Sequence, residues 1–322
     1  MTTRTRRIFL GLGFGLIVVV GLMFYADLQE LSASLANFDA VVLGPVVVII
    51  LAGYVLRAIK WEIYLRRLDI RLGWVESSWV FFAGLVMAIS PMKVGEVLKS
   101  FLLRQHHQIP VARTAPVIIA ERLTDVIALV LLASLGVATT GIGGLLVSTA
   151  SILAASIVVF LVSPTLSRRL LSWMRNLPII GRYSHRLEEA YESMLRLMGV
   201  RTMLWTTGLS LLAWGGEGLA CWWIVNAFEG VNASLGDVVF IFSFSTLAGA
   251  LSMLPGGLLA TEGSMIGLLT AVLNVMPSKT SATAATLLTR FCTLWFAVLL
   301  GAMALVAYQR HRRQEKSNET ST

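Results

Sequence analysis

The stretch from Ser252 to Gly263, Ser-Met-Leu-Pro-Gly-Gly-Leu-Leu-Ala-Thr-Glu-Gly, constrains this chain more than any other. It interrupts an apolar run from about Val238 to Val275, where a continuous spanning helix is otherwise expected. Pro255 removes a backbone donor, and Gly256 with Gly257 supplies no side chain to hold a helical turn. Glu262 then sets a carboxylate in apolar surroundings. Lipid cannot satisfy broken backbone, so such a break must be buried in protein or line a wet cavity. A charge at that depth is costly and marks a functional candidate.

Composition says what the break is embedded in. The 322 residues are 56% hydrophobic and only 14% charged, with a mean hydropathy of +0.77. That excludes a soluble globular protein and a disordered one, and predicts an all-α polytopic membrane protein. About 20 apolar residues make a spanning helix, and six stretches qualify: 8–26, 41–65, 114–138, 144–163, 203–226 and 281–308. Two further apolar regions, 77–104 and 238–275, are each split by Pro and Gly. We read both as re-entrant hairpins made of two half-helices. Arg4, Arg6 and Arg7 before an apolar run resemble a signal sequence, but no small-x-small site follows, so a retained first helix is expected. Cys221 and Cys292 both fall within spans and imply no disulfide framework.

The arrangement is a single membrane domain over 1–309 with a polar cytoplasmic tail at 310–322. Within it, a first repeat at about 41–138 and a second at about 203–308 flank a cytoplasmic amphipathic linker at 164–202. In the linker, Leu187, Ala190, Tyr191, Met194, Leu195 and Met198 recur at helical spacing opposite Arg186, Glu188, Glu189 and Arg196. Such a helix lies either on anionic lipid or on the cytoplasmic face of the bundle; the pattern leaves both open.

The formal charge of +8 is a matter of loops and not of nucleic acid. Arginine and lysine gather at 1–7, 66–76, 99–113, 164–202 and the tail, while 27–40 and 227–237 hold only acidic charges. Basic loops stay inside. Both termini are therefore expected in the cytoplasm of a multi-pass protein of the inner membrane, and only Lys279 dissents.

The two halves match when read outward from their breaks. Arg57 and Trp61 precede a break at Ser90–Glu96, with Pro91, Lys93 and Gly95 inside it, and Arg122 follows. Glu217 and Trp222 precede the break at Pro255–Glu262, and Arg290 follows. The charge pattern gives the two halves opposite orientation, an arrangement that places a binding site where two broken segments meet near the midplane. Arg57 lies nine residues from Arg66, roughly 13 Å inside the boundary. Arg122 and Arg290 lie at similar depth. Snorkelling explains any one of them, but three together are costly. The alternative is a cationic lining for lipid phosphate, to which the planar fork of Arg is well shaped. Lys93 adds a point charge, and half-helix ends at Gly95 and at Gly256–Gly257 offer free N–H groups to the same anion. Glu96, Glu217 and Glu262 would neutralise the arginines when no lipid is bound, or hold the hairpins in fixed ion pairs; one that titrates would couple the site to protons. Asp125, one turn after Glu121, shares its face toward the interior.

The motifs Arg-x-x-x-Trp (Arg57, Trp61), Pro-x-x-x-Gly-Glu (Pro91, Gly95, Glu96), Glu-Arg-x-x-Asp (Glu121, Arg122, Asp125) and Pro-Gly-Gly-x-x-x-x-Glu (Pro255, Gly256, Gly257, Glu262) occur in that order. Together they resemble the membrane region of lysylphosphatidylglycerol synthases, a region also found as a stand-alone flippase-like family with members linked to hopanoid and polyprenyl lipids. The resemblance covers roughly residues 8–308. The soluble aminoacyl-transferring domain of the full synthases has no counterpart here, and Leu-Leu-Ala-Thr stands in the second break where a further glycine is expected. The resemblance implies translocation of an anionic or isoprenoid-type lipid, with no cofactor, and argues against aminoacyl-lipid synthesis.

Two other functions compete. A membrane-embedded lipid-phosphate enzyme needs a nucleophile and base or a metal cluster. His106, His107, His185 and His311 all lie outside the spans, and no Cys/His/Asp set has ligand spacing. An accessory subunit that presents lipid to a partner enzyme is compatible with everything above.

Overall fold

A computed structural model of the chain describes residues 28–90, 94–140 and 184–319, with isolated positions at 144, 145, 148 and 152. The expected span at 8–26, most of that at 144–163, the first part of the linker, and Pro91 and Lys93 lie outside the described residues. Every regular element among those described is helical.

A short helix α1 (Leu28–Ala36) and a 3₁₀ turn (Ala40–Val42) lead into α2 (Leu43–Arg67). The first broken region follows as α3 (Trp74–Gly84), 3₁₀ turns at Leu85–Met87 and Val94–Val97, and α4 (Leu98–His107). Helix α5 (Val111–Thr140) closes the first half. The linker helix α6 (Ser184–Leu197) leads to α7 (Val200–Asn226). The second broken region comprises α8 (Leu235–Leu251), α9 (Ala260–Gly267) and a π-helical segment at Leu268–Val272. Helix α10 (Lys279–Arg290) passes through a second π segment (Phe291–Trp295) into α11 (Phe296–Glu319).

Each broken region turns back on itself. At the tip of the first, a Cβ added to Gly84 would lie 2.5 Å from Lys99 Cγ. At its base, His107 Nε2 stands 2.9 Å from Glu76 Oε1. Contacts at both ends make α3 and α4 an antiparallel hairpin. In the second, α8 and α9 pack together, and a Cβ on Gly249 would fall 1.9 Å from Thr261 Oγ1. The reversal there runs through left-handed backbone at Met253, Gly256, Gly257 and Leu259. At Gly256 and Gly257 glycine removes the steric penalty of positive φ; Leu259, at φ 70°, bears it.

The halves are assembled crosswise. Helix α2 packs along α7 at the centre. The first hairpin rests on α11, and the second hairpin's α8 rests on α5. Two glycines make these crossings close: a Cβ on Gly136 would sit 2.1 Å from Phe240 Cβ, and one on Gly301 would sit 2.1 Å from Val86 N. Small residues that admit a neighbouring backbone are what helix association in lipid requires. The tips of the two hairpins also meet, since a Cβ on Gly256 would lie 3.4 Å from Ile89 Cγ1.

Two helices among the described residues, Ala40–Arg67 and Lys279–Arg312, are long and apolar enough to cross a membrane. Helices α5 and α7, of 30 and 27 residues, coincide with the expected spans at 114–138 and 203–226 but carry charges in their middles. The linker helix packs on α5, with Met194, Leu197 and Met198 buried, so of the two placements open for it the described part takes the bundle. Helix α11 continues through the polar residues to Glu319.

Overpacking a close crossing is destabilising by about 1–3 kcal/mol. Gly301→Ala is therefore expected to lower the melting temperature of the detergent-solubilised protein, because the atom it meets is backbone. Gly44→Ala, where the added Cβ meets nothing within 4 Å, is expected not to.

Candidate functional site

Arg57 and Glu217 lie on the two central helices, and their side chains meet at 2.6 Å. The guanidinium also stacks over Trp214, 4.3 Å from the ring centroid, while its Nη2 is buried with no hydrogen-bond partner among the described residues. An arginine held by one carboxylate and the faces of Trp214 and Tyr54 keeps donors in reserve.

Between α2, α5 and the first hairpin lies a denser network. Lys60 Nζ, 1% exposed, contacts Asp125 Oδ1 at 2.6 Å and Ser210 Oγ at 2.8 Å. The Ser210 hydroxyl in turn donates to Asp125 at 2.9 Å, so three helices are tied at one carboxylate. Lys99 Nζ reaches Glu121 at 2.6 Å and Glu96 at 3.5 Å, and lies 4.6 Å from the Trp61 ring centroid. Arg122 stands 3.4 Å from Glu96 and 3.2 Å from Asp125; the latter contact is an ion pair without hydrogen-bond alignment, and Arg122 Nε finds no partner among the described residues.

The second break holds a simpler arrangement. Arg290 donates from Nε to Glu262 Oε1 at 2.6 Å and from Nη2 to the Gly256 carbonyl at 2.6 Å. One guanidinium thus neutralises the buried carboxylate and satisfies the broken backbone. Glu262 Oε2 is buried with no partner among the described residues. Just beyond, Tyr54 donates to the carbonyl of Thr293 at 2.7 Å inside the second π segment, where the widened turn disturbs the usual ladder.

Each of the three intramembrane arginines anticipated in the chain therefore carries a glutamate: Arg57 with Glu217, Arg122 with Glu96, Arg290 with Glu262. The last two pairs span 26 and 28 residues, each running from the end of a break to a later helix. The expected free N–H groups are not found at two positions. Gly95 N donates to Ser90 Oγ at 2.8 Å and Gly257 N to the Leu254 carbonyl at 2.9 Å, so the turns consume their own donors. Lys99, counted among the loop charges, is instead 1% exposed and paired, which leaves Arg104 and Arg113 to keep that loop basic. Lys60, Lys99 and Ser210 had not been singled out. The signal for Lys60 was its position three residues after Arg57, on the same helical face.

Removing one member of a buried ion pair strands its partner, at a cost of about 3–5 kcal/mol. Lys60→Met is expected to lower thermal stability sharply. Lys60→Met combined with Asp125→Leu is expected to recover part of that loss in the same melting assay, only part because Arg122 and Ser210 then lose their acceptor.

Comparison with known proteins gives a match over nearly the whole chain. The family profile described as the lysylphosphatidylglycerol synthase TM region matches residues 10–301. Among similar proteins are two from Methanothermobacter thermautotrophicus, each named UPF0104 membrane protein. One is 24% identical over 322 aligned residues, covering 90% of this chain and 92% of its own length. The other is 25% identical over 314, covering 91% of each. The match takes in both broken hairpins, the helices that flank them and every charged pair described above, and the chain belongs to the lysylphosphatidylglycerol synthase transmembrane-region family.

Proposed function

We propose that this membrane protein moves a lipid with an anionic, phosphate-bearing headgroup from one leaflet to the other without changing it chemically. The observation that carries this reading is the set of three buried arginine–glutamate pairs gathered about two hairpins whose tips touch. A fixed structural role needs each arginine saturated. Arg57 Nη2 and Arg122 Nε instead find no hydrogen-bond partner among the described residues, and a phosphate presents the oxygens that such donors take.

In this reading both hairpins are re-entrant and enter from opposite faces, the first from the cytoplasm, with both termini inside and the protein in the inner membrane. The headgroup exchanges places with the glutamates: as Arg57, Arg122 and Arg290 turn onto phosphate oxygens, Glu217, Glu96 and Glu262 lose their counter-ions. A polyprenyl or hopanoid-type anchor is compatible with a site that recognises only the headgroup, because the tail stays in the bilayer. The reaction is a transfer between leaflets and the protein is not an enzyme.

Proteoliposomes containing a fluorescent phosphatidylglycerol test this. The wild-type protein is expected to accelerate loss of inner-leaflet protection from a membrane-impermeant quencher added outside, and Arg122→Ala and Arg290→Ala to slow it by about tenfold or more, the worth of one lost charge-assisted contact. Transport at the wild-type rate in both variants overturns the site. Chemical conversion of the lipid would indicate an enzyme, and inertness until a partner is added would indicate an accessory subunit. Cysteines placed at Trp74 and His107 are expected to label from the cytoplasmic side, and cysteines at Leu235 and Pro277 from the opposite side.

A further inference from the structure

The two halves satisfy their break glutamates unequally. Among the described residues, Glu96 has at least two cations, Lys99 at 3.5 Å and Arg122 at 3.4 Å. Glu262 has Arg290 alone among the described charged groups. All of that contact falls on Oε1, and Oε2 is buried without a donor among the described residues, in a side chain that is 2% exposed. A buried carboxylate oxygen with no donor carries the full cost of desolvation. Binding a proton there removes the charge, which is the larger part of that cost.

Among the described residues of the elements packed on its helix, no second charged group competes for Glu262. Helix α9 packs on α8, α10 and the π segment at Leu268–Val272. Helix α8 carries only Asp237, in its first turn and far along the helix from the break. Helix α10 carries Lys279 at its start and Arg290 at its end, and the π segment carries no charge. Arg290 is the charged group that faces Glu262.

We propose that Glu262 is a proton-binding site linked to anion binding through Arg290: a proton enters at Oε2, the guanidinium is freed from the carboxylate, and it turns onto the phosphate of a lipid. This rests on the lipid-moving reading above and adds to it a coupling ion. Charge balances in the exchange. The pair is neutral as an ion pair, and it is neutral again as protonated Glu262 with Arg290 on a phosphate monoanion. An anion entering alone would leave a net negative charge in low dielectric, which is far costlier. Arg290 keeps its bond to the Gly256 carbonyl as a pivot, so the break itself stays satisfied. By reciprocity, acid pH strengthens lipid binding, and bound lipid strengthens proton binding by the same factor.

Calorimetric titration of the purified protein with a short-chain phosphatidylglycerol, in buffers of different ionisation heat, reads the protons taken up per lipid bound. Wild-type protein is expected to take up about one. Glu262→Gln, in which Arg290 faces a neutral partner, is expected to take up none. It should bind the probe on the order of tenfold more tightly than wild type at alkaline pH, the worth of one charge-assisted bond released. Its net translocation is expected to be lost, because the anion is no longer expelled when the proton leaves. Glu262→Asp is expected to restore proton uptake. Lipid binding by the wild type without proton uptake, or undiminished uptake by Glu262→Gln, overturns the proposal. A wild-type protein that fails to bind the probe at all sinks the lipid reading and the linkage together. Infrared difference spectra between acid and alkaline buffer then judge the proton site alone: a protonated-carboxyl band lost in Glu262→Gln keeps it, and no such band removes it.

Discussion

Arg290 resolves two problems that a hydrophobic surrounding cannot solve for itself. A carboxylate sits at Glu262, and a few residues before it the backbone leaves its helix and exposes carbonyls. One guanidinium answers both, through Nε to Glu262 Oε1 and Nη2 to the Gly256 carbonyl. The planar fork matters here, because a lysine ammonium at the same place would have to choose or compromise. Without this double contact the second hairpin would hold an orphan charge and an orphan acceptor at once, and neither has a cheap alternative in lipid.

The same rule of compensation governs the whole interior. Arg57, Lys60, Lys99, Arg122 and Arg290 stand against Glu96, Glu121, Asp125, Glu217 and Glu262, so the described site is neutral. Neutrality allows it to be buried; it does not make it strongly stabilising, since desolvation offsets most of the attraction. The two halves distribute these charges differently. The first locks its carboxylates among several cations and a hydroxyl from Ser210, which suits a rigid support. The second leaves a single pair at the tip, which suits a part that changes partners. Both π segments lie in this second half, one shortly after Glu262 and the other beginning at the residue after Arg290. Such segments widen a turn at small cost and recur where a helix must adjust.

Much of this was legible beforehand for a simple reason: proline, paired glycine and charge are rare in spanning segments, so their coincidence is informative. Pro255 with Gly256 and Gly257 located the second reversal, and the glutamates at Glu96, Glu217 and Glu262 were expected to neutralise the arginines that they pair with. What escaped was any contact whose signal is spread along the chain. Lys99 followed a broken region and looked like a loop charge, yet its partner Glu121 lies 22 residues on and draws it inside. Ser210, a hydroxyl in an unremarkable helix, meets Lys60 across 150 residues. Nothing local distinguishes it from a serine facing lipid. The free amides expected at Gly95 and Gly257 failed because each turn supplies its own acceptor, a serine hydroxyl for Gly95 and a backbone carbonyl for Gly257.

The crosswise support has a consequence for synthesis. The hairpin at 74–107 leans on α11, whose contacting residues include Gly301, some two hundred positions later. While the ribosome is still making the middle of the protein, that early hairpin has no lasting neighbour on one flank, and its bent backbone must wait in the bilayer or in the insertion machinery. Neither half is thus a self-sufficient folding unit, and a helix made some two hundred residues later is the one that locks the early turn in place.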